Sequence, residues 1–159
     1  MFGLDPWKYY YRLRGKIAFA FEGLPLPWWM SGKEFVESVC MLGGYNMEEM
    51  VEVSEDLGVA EYWQKSIGSY SSGMKKRFLL LLSFGIKAEL YVLDEPFTLI
   101  DEETLNKIVN LISELKKLGK TLLIATHYIP EKIRKEADTI VKLSRGSVSR
   151  IITPTPKRF

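Results

Sequence analysis

Two adjacent carboxylates close an apolar segment in the second half of the chain. Residues 90–93 (LYVL) have the composition of a buried strand, and Asp94, Glu95 and Pro96 follow them directly. If this strand is parallel to its neighbours, its carboxyl end faces the crevice in which parallel sheets bind ligands. One carboxylate can hold Mg²⁺ there, while the other points to the opposite side and can orient a water. The alternative is an ordinary solvated Asp-Glu turn.

A run of small residues marks a second candidate site. Ser71, Ser72 and Gly73 stand where a helix is expected to begin, and the basic segment 75–77 (KKR) follows. Exposed backbone N–H groups at a helix start, together with the helix dipole, suit an anion such as a phosphate. A plain serine N-cap explains the same residues without any ligand.

The only histidine of the chain, His127, follows the apolar segment 121–125 (TLLIA). A histidine at the exit of a buried parallel strand can hydrogen-bond a phosphate or a water through one nitrogen while the protein holds the other. A purely structural role is the alternative reading for a single histidine.

The order of apolar segments predicts the elements that position these residues. Ser31 and Glu34 have capping-box spacing, so a helix is predicted to begin at Ser31. Apolar strands that alternate with helices indicate a parallel sheet covered on both faces. The helical segment from 31 to 86 interrupts that alternation and predicts an insertion. Strands are predicted at 16–21, 90–93, 121–125, 139–143 and 147–152, and further helices near 47–57, from 72, at 101–118 and after 130.

Composition narrows the class of protein. A chain of 159 residues with 47% hydrophobic and 26% charged side chains predicts one globular domain. The net charge of +2 is too small to favour a nucleic-acid partner. The longest apolar run begins at Phe78 and ends by Lys87, short of the roughly 20 residues that cross a bilayer. Since the lone Cys40 also suits a reducing compartment, we expect a cytoplasmic protein that reaches membranes through a partner.

These segments, in this order, resemble the ATP-binding domains of ABC transporters over nearly the whole chain. The matching segments are 70–78 (YSSGMKKRF, the signature motif), 90–96 (LYVLDEP, Walker B), 97–101 (FTLID, the D-loop), 126–128 (THY, the switch-histidine loop), 16–35 (the Q-loop region) and 137–148 (the closing strands). The resemblance implies an α/β fold of the P-loop NTPase type, with a parallel sheet flanked by helices and an inserted helical subdomain. It implies one partial domain over 1–159, with the Q-loop part at 1–30, the helical subdomain at 31–86 and the remaining motifs at 87–159.

The resemblance also implies roles, with ATP and Mg²⁺ as the cofactors. Asp94 would hold Mg²⁺, Glu95 would polarise the attacking water, and His127 would contact the γ-phosphate. The implied partners are a second ABC ATPase subunit and a transmembrane permease at the inner face of the cell membrane. Asp101 would cross the interface with the second subunit. The implied nucleotide-binding residues are Ser71, Ser72, Gly73, Asp101 and Glu22.

The phosphate loop of the family, G-x-x-x-x-G-K-[ST], has no counterpart in these 159 residues. Ahead of the Q-loop strand, neither Lys8 nor Lys16 follows a glycine-rich turn of that spacing, so the resemblance implies a chain truncated at its N-terminus. The loop supplies charge-assisted hydrogen bonds worth roughly 1.5–3 kcal/mol each, so we expect the isolated chain to bind ATP weakly and to be inactive. We also expect a sheet that lacks the phosphate-loop strand, which would leave a gap or two unpaired edges.

Smaller departures concern three motifs. Glu22 occupies the position of the Q-loop glutamine, so an acceptor-only carboxylate replaces an amide. Ser72 and Met74 replace a glycine and a glutamine of the signature motif. Leu99 and Ile100 are bulkier than the usual D-loop residues.

Trp28 and Trp29, with Leu24 and Leu26, lie where family members meet the membrane subunit. Exposed, these side chains would form a docking patch. The alternative is that they pack against the helical subdomain.

Three functions fit the sequence. The first is an ATP-hydrolysing subunit that powers transport with a permease. The second is a non-catalytic half-site that lends Ser71 and Gly73 to the ATP of an intact partner, although the presence of both Asp94 and Glu95 disfavours it. The third is a DNA-repair or chromosome-maintenance ATPase, which we disfavour because the segment between Glu22 and position 70 is too short for the coiled coil of those proteins.

Overall fold

The structure, a computed structural model, describes residues 2–5 and 8–153. It divides the chain into two compact units, Met1–His127 and Tyr128–Phe159. None of the helices in the described ranges is long and apolar enough to span a membrane.

The first unit contains a three-stranded parallel sheet. After a short helix α1 (Tyr10–Leu13), the strands β1 (Ile17–Ala20), β2 (Leu90–Asp94) and β3 (Thr121–Ala125) lie side by side in that order. The register pairs Phe19 with Val92 and Val92 with Leu123. The predicted strands and their parallel pairing are therefore confirmed, and the carboxyl ends of all three strands lie at one edge of the sheet.

The two faces of this sheet differ in burial. One face is buried and carries Ala18, Tyr91 and Leu93, each about 1% exposed. On the other face, Phe19 is 49% and Leu123 is 61% exposed. Within the first unit, the prediction that helices cover both faces of the sheet is therefore wrong. The apolar strands have the composition of a sheet buried on both sides, but the elements of this unit cover only one face.

The segment between β1 and β2 is helical, as predicted. It contains α2 (Gly32–Gly43), α3 (Met47–Asp56), a 3₁₀ turn (Ile67–Ser69) and α4 (Ser72–Phe84). The capping box at the start of α2 is confirmed, because the Glu34 N–H donates to Ser31 Oγ and the Ser31 N–H donates to Glu34 Oε2. These two bonds satisfy backbone donors that the first turn of a helix leaves unpaired.

An aromatic cluster fills the core around α4. The Phe78 ring is fully buried, and its centroid lies 6.2 Å from that of Phe35 and 5.7 Å from that of Tyr70. Tyr62 completes the cluster with an edge-on contact to Tyr70 at 4.9 Å. Because Tyr70 directly precedes Ser71, this cluster fixes the segment that leads into the signature motif.

After β2, helix α5 (Glu102–Lys117) leads to β3. The second unit then contains α6 (Glu131–Glu136), β4 (Ile140–Ser144) and β5 (Ser147–Ile152). The last two strands form an antiparallel pair of their own, joined by a turn at Arg145 and Gly146, both of which have positive φ. A two-residue turn with positive φ at both positions matches the twist of a hairpin.

Candidate nucleotide site

Glu95 and His127 meet at the carboxyl edge of the sheet. Glu95 directly follows β2, and its N–H donates to the Ala125 carbonyl at the end of β3 (2.8 Å). His127 lies two residues beyond that carbonyl. Because β2 and β3 are neighbours in the sheet, two residues far apart in the sequence come into contact.

Three hydrogen bonds hold the Glu95 carboxylate. The Thr126 hydroxyl donates to Oε2 (3.1 Å), the His127 N–H donates to Oε1 (3.0 Å), and the His127 ring nitrogen Nδ1 lies 2.9 Å from Oε2. Desolvation raises the pKa of Glu95, but the hydrogen bonds from His127 and Thr126 together lower it by more, so that the pKa lies below its ordinary value. Glu95 is therefore a carboxylate at neutral pH.

The backbone of Glu95 has an unusual conformation. Its φ of +48° lies in the left-handed region, which a non-glycine residue rarely occupies. The residue is held there on both sides, because its N–H binds the Ala125 carbonyl and its own carbonyl accepts from the Thr98 hydroxyl (2.9 Å). Such conformations cluster at functional sites, where the surrounding structure compensates for their strain.

The contact with Glu95 constrains what His127 can do. A carboxylate only accepts hydrogen bonds, so Nδ1 carries the proton in this contact. A neutral imidazole held in this way presents Nε2 as an acceptor. A hydrogen bond from the 73%-exposed His127 to an anionic phosphate oxygen therefore requires either the imidazolium form or release of Nδ1 from Glu95.

Asp94 is the exposed last residue of β2. The described residues contain no group of three or more His, Cys, Asp or Glu side chains that could hold a metal by themselves. Mg²⁺ is often held by only one or two carboxylates, with phosphate oxygens and waters as its other ligands. A single exposed carboxylate at this edge fits such an ion, provided that a nucleotide supplies the remaining oxygens.

The signature serine caps helix α4. The Met74 N–H donates to Ser71 Oγ (3.2 Å), so the N-cap interpretation of this residue holds. The hydroxyl hydrogen of Ser71 remains able to donate to a ligand. Ser71 and Ser72 are exposed, and among the described residues neither makes a hydrogen bond to Glu95 or His127. The structure thus brings the two catalytic candidates together but not the signature residues with them.

Gly73 lies against the D-loop. A Cβ atom at this position would come within 2.9 Å of the Leu99 carbonyl oxygen, closer than real Cβ atoms approach backbone. Leu99 itself has a φ of +59° and is 61% exposed. The bulky D-loop of this chain therefore turns through a left-handed leucine, and the close approach explains why a glycine stands opposite it.

Asp101, at the end of the D-loop, caps helix α5. Its carboxylate accepts hydrogen bonds from the Thr104 N–H and the Thr104 hydroxyl, both at 2.9 Å. These bonds, the backbone bond first, hold the pKa of Asp101 below its ordinary value. Its predicted contact with a second subunit remains a prediction.

Glu22 and Lys76 form an ion pair that the sequence did not predict. Glu22 Oε1 lies 3.1 Å from Lys76 Nζ. Of the three basic residues after the signature motif, Lys76 is buried, Arg77 lies over the Tyr62 ring, and Lys75 is exposed. The basic segment is therefore mostly engaged within the protein. Nothing in the sequence distinguishes the buried Lys76 from the exposed Lys75, because lysine is usually exposed.

Comparisons with known proteins show homology to ABC-transporter ATP-binding subunits. The chain is similar to the manganese transport system ATP-binding protein MntB of Halalkalibacterium halodurans, with 29% identity over 164 residues that cover 92% of this chain and 64% of MntB. The solved ATP-binding subunit of an ABC transporter has the same fold, with a TM-score of 0.83 at 22% identity, over 96% of this chain and 65% of that one. A dimeric bacterial ABC transporter cassette, MJ0796, matches with a TM-score of 0.76 at 25% identity, over 96% of this chain and 69% of the cassette.

No protein-family model matches the chain. The match to MntB spans just under two thirds of that protein's length. Within this part, the homology and the fold agree with each other and with the order of motifs. The chain is therefore homologous to the ATP-binding subunits of ABC transporters, and it covers a part of their length.

Proposed function

We propose that this chain is part of an ATP-hydrolysing subunit that powers an ABC transporter. The observation that carries the proposal is the contact of Glu95 with His127 at the carboxyl edge of the sheet, directly beside Asp94. This arrangement puts an ionised carboxylate, a histidine and a candidate Mg²⁺ ligand at the edge where parallel sheets bind ligands. Phosphoryl transfer depends on such positioning and charge stabilisation more than on covalent chemistry.

Each side chain has one task in this proposal. Glu95 accepts a hydrogen bond from the attacking water and orients it. His127 donates to the γ-phosphate after Nδ1 leaves Glu95 or after the ring is protonated. Asp94 would hold Mg²⁺, which would supply positive charge to neutralise the phosphate oxygens. Ser71, Ser72 and Gly73 present the start of α4 to the ATP of a facing subunit, and Asp101 and Glu22 contribute to the same site.

The phosphate loop that completes the site comes from outside residues 1–159 in this proposal. A second ATPase subunit is supported by the dimeric state of the MJ0796 cassette. A permease is the second partner, and it places the chain at the inner face of the cell membrane.

The test is ATP hydrolysis by the assembly that contains the chain. The complex is isolated through an affinity tag on the chain, and phosphate release from MgATP is measured. We expect the complex to hydrolyse ATP at a steady rate. For the isolated chain, we expect calorimetry to give an ATP affinity weaker than micromolar. A complex without ATPase activity, or one that contains no membrane subunit, would refute the proposal.

The docking surface for the permease is proposed to include Trp28 and Trp29. These side chains are 68% and 67% exposed, and their rings meet edge to face at 5.6 Å. Trp29 also lines an open groove with Met30, Met41 and the acidic Glu34 and Glu37. An exposed aromatic pair beside such a groove has the composition of an interface hot spot.

The same loop is bonded to the segment that leads to the signature motif. The Trp28 carbonyl accepts from the Gly68 N–H (3.0 Å) and the Ser66 hydroxyl (2.6 Å), and the Met30 carbonyl accepts from the Ile67 N–H (2.9 Å). A movement of the docked loop would therefore act on residues that lie only a few positions before Ser71.

Replacing both Trp28 and Trp29 with alanine is expected to remove the permease from the complex. Both side chains are exposed, so the thermal midpoint of the chain should change little, whereas interface hot spots are worth about 2 kcal/mol or more each. Recovery of the permease with the tagged chain measures the effect. Leu118→Ala, at a side chain 72% exposed directly after α5, is the control and should leave recovery unchanged. Full recovery with the double variant would place the docking surface elsewhere.

A further inference from the structure

Lys76 is a buried cation that the proposed chemistry does not use. Only 3% of its side chain is exposed. Lysine side chains are almost never buried in this way unless they are paired. Removing an ammonium group from water is costly unless charge and hydrogen bonds replace the lost solvation. The burial of Lys76 therefore needs a structural or functional explanation.

The partners of Lys76 belong to three different segments. Lys76 lies on α4, the helix that begins at the signature motif. Its Nζ donates to the Asp94 carbonyl at the end of β2 (3.2 Å) and lies 3.1 Å from the Glu22 carboxylate, just beyond β1. One ammonium group thus joins the signature helix, the carboxyl end of β2 and the loop after β1.

We propose that Lys76 is a positioning residue, which holds the end of β2 and the loop after β1 in a fixed place relative to the signature helix. The proposal rests on the function proposed above, and it concerns the backbone of Asp94 and the side chain of Glu22. Glu95 follows Asp94 directly, so the bond to the Asp94 carbonyl acts one residue before the carboxylate that orients the water.

The charge of Lys76 has a second consequence. Glu22 adds a carboxylate to an edge that already carries Asp94 and Glu95, and three negative charges would repel a triphosphate. The Lys76 ammonium neutralises the Glu22 carboxylate, so that the ion pair has no net charge. Glu22 is 60% exposed and therefore accessible to substitution without cost to the core.

The first test uses amide hydrogen exchange in the isolated chain. In Lys76→Met, exchange of the Glu95 and Thr98 amides is expected to accelerate about tenfold or more, because a hydrogen bond from a charged donor is lost beside them. Amides of α5, such as that of Val109, should exchange at their original rate. Equal acceleration in α5 would mean that Lys76 contributes only general stability and would overturn the proposal.

A matched control and a milder variant accompany this test. Glu103 and Lys107 on α5 form an exposed ion pair at 2.9 Å, and Lys107→Met should leave exchange of the Glu95 amide unchanged. If Lys76→Met does not fold, Glu22→Gln removes the partner charge from the exposed side. It should accelerate exchange at the same amides by a smaller factor, and no acceleration there would overturn the proposal.

The second test measures turnover of the assembled complex at saturating MgATP. Lys76→Met is expected to lower kcat per assembled site by about 10- to 100-fold, because small misplacements of reacting groups cost that much. Glu22→Gln should lower kcat less, and the double variant should be no worse than Lys76→Met alone, since both changes break one interaction. An unchanged kcat in Lys76→Met, or strictly additive losses, would refute the positioning role.

The two tests separate the two proposals. An original complex without ATPase activity refutes the proposed function, while local exchange changes would still show that Lys76 holds the end of β2. An active complex whose kcat is unchanged by Lys76→Met supports the proposed function and refutes the positioning role.

Discussion

Glu95→Gln is expected to lower ATP hydrolysis by the proposed transporter complex by about 10²- to 10⁴-fold, the usual contribution of a general base. The substitution keeps the shape of the side chain but replaces a carboxylate, which accepts through both oxygens, with an amide that has only one. The hydrogen bonds from His127 and Thr126 to Glu95 therefore lose one acceptor. Phosphate release at saturating MgATP is the measurement, with ATP affinity recorded in parallel.

Glu103→Gln provides the control for this experiment. Glu103 is 81% exposed on α5 and pairs only with its helical neighbour Lys107 among the contacts described, so turnover should be unchanged. If the Glu95→Gln variant retains more than a tenth of the original ATPase activity, Glu95 is not the catalytic base. That result would favour the non-catalytic half-site, in which this chain lends its signature residues to an ATP hydrolysed elsewhere.

Phe78→Ala is expected to lower the free energy of unfolding by about 3–5 kcal/mol, the range for removing a buried aromatic ring. The ring is fully buried in α4 and contacts Phe35 and Tyr70, so its loss leaves a cavity that the helix backbone cannot close. Urea unfolding followed by tryptophan fluorescence measures the change. Because Tyr70 precedes Ser71, the signature segment should lose order together with the cluster.

Phe19→Ala is the matched control for the cavity argument. The same atoms are removed from a ring that is 49% exposed on β1, so the expected loss is under about 1 kcal/mol. A loss at Phe19 equal to that at Phe78 would mean that the open face of the sheet is covered in solution. The exposure of Phe19 in the described residues would then not predict its contribution to the free energy of unfolding.

Local features of the chain could be predicted because their causes lie within a few residues. The capping box of Ser31 and Glu34 spans one helical turn, so its sequence spacing is already its geometry. The strands ending at Asp94 and Ala125 were recognisable from short apolar runs, and their parallel pairing from the helix between them. The order of Ser71, Glu95 and His127 along the chain likewise indicated the resemblance to ABC-transporter ATP-binding domains.

Trp28 and Trp29 show where the sequence left two outcomes open. Trp28 and Trp29 had equal reasons to be exposed or packed, because both are large apolar side chains in a proline-rich loop. The structure exposes both, since the backbone of this loop is bonded to the 3₁₀ turn at Ile67–Ser69 while the rings point away from the core.

Only the tertiary structure decided which distant groups meet. Helix α4 is apolar on nearly all sides from Phe78 onward, so no hydrophobic periodicity indicated that Lys76, near its start, would be buried. The close approach of Gly73 to Leu99 depends on the path of the D-loop, which local propensity does not fix. The sequence by itself determined which residues are candidates for the chemistry and which elements hold them. The packing of α4 against the sheet and the register of β2 with β3 decided their contacts, because those contacts join segments that no local rule connects.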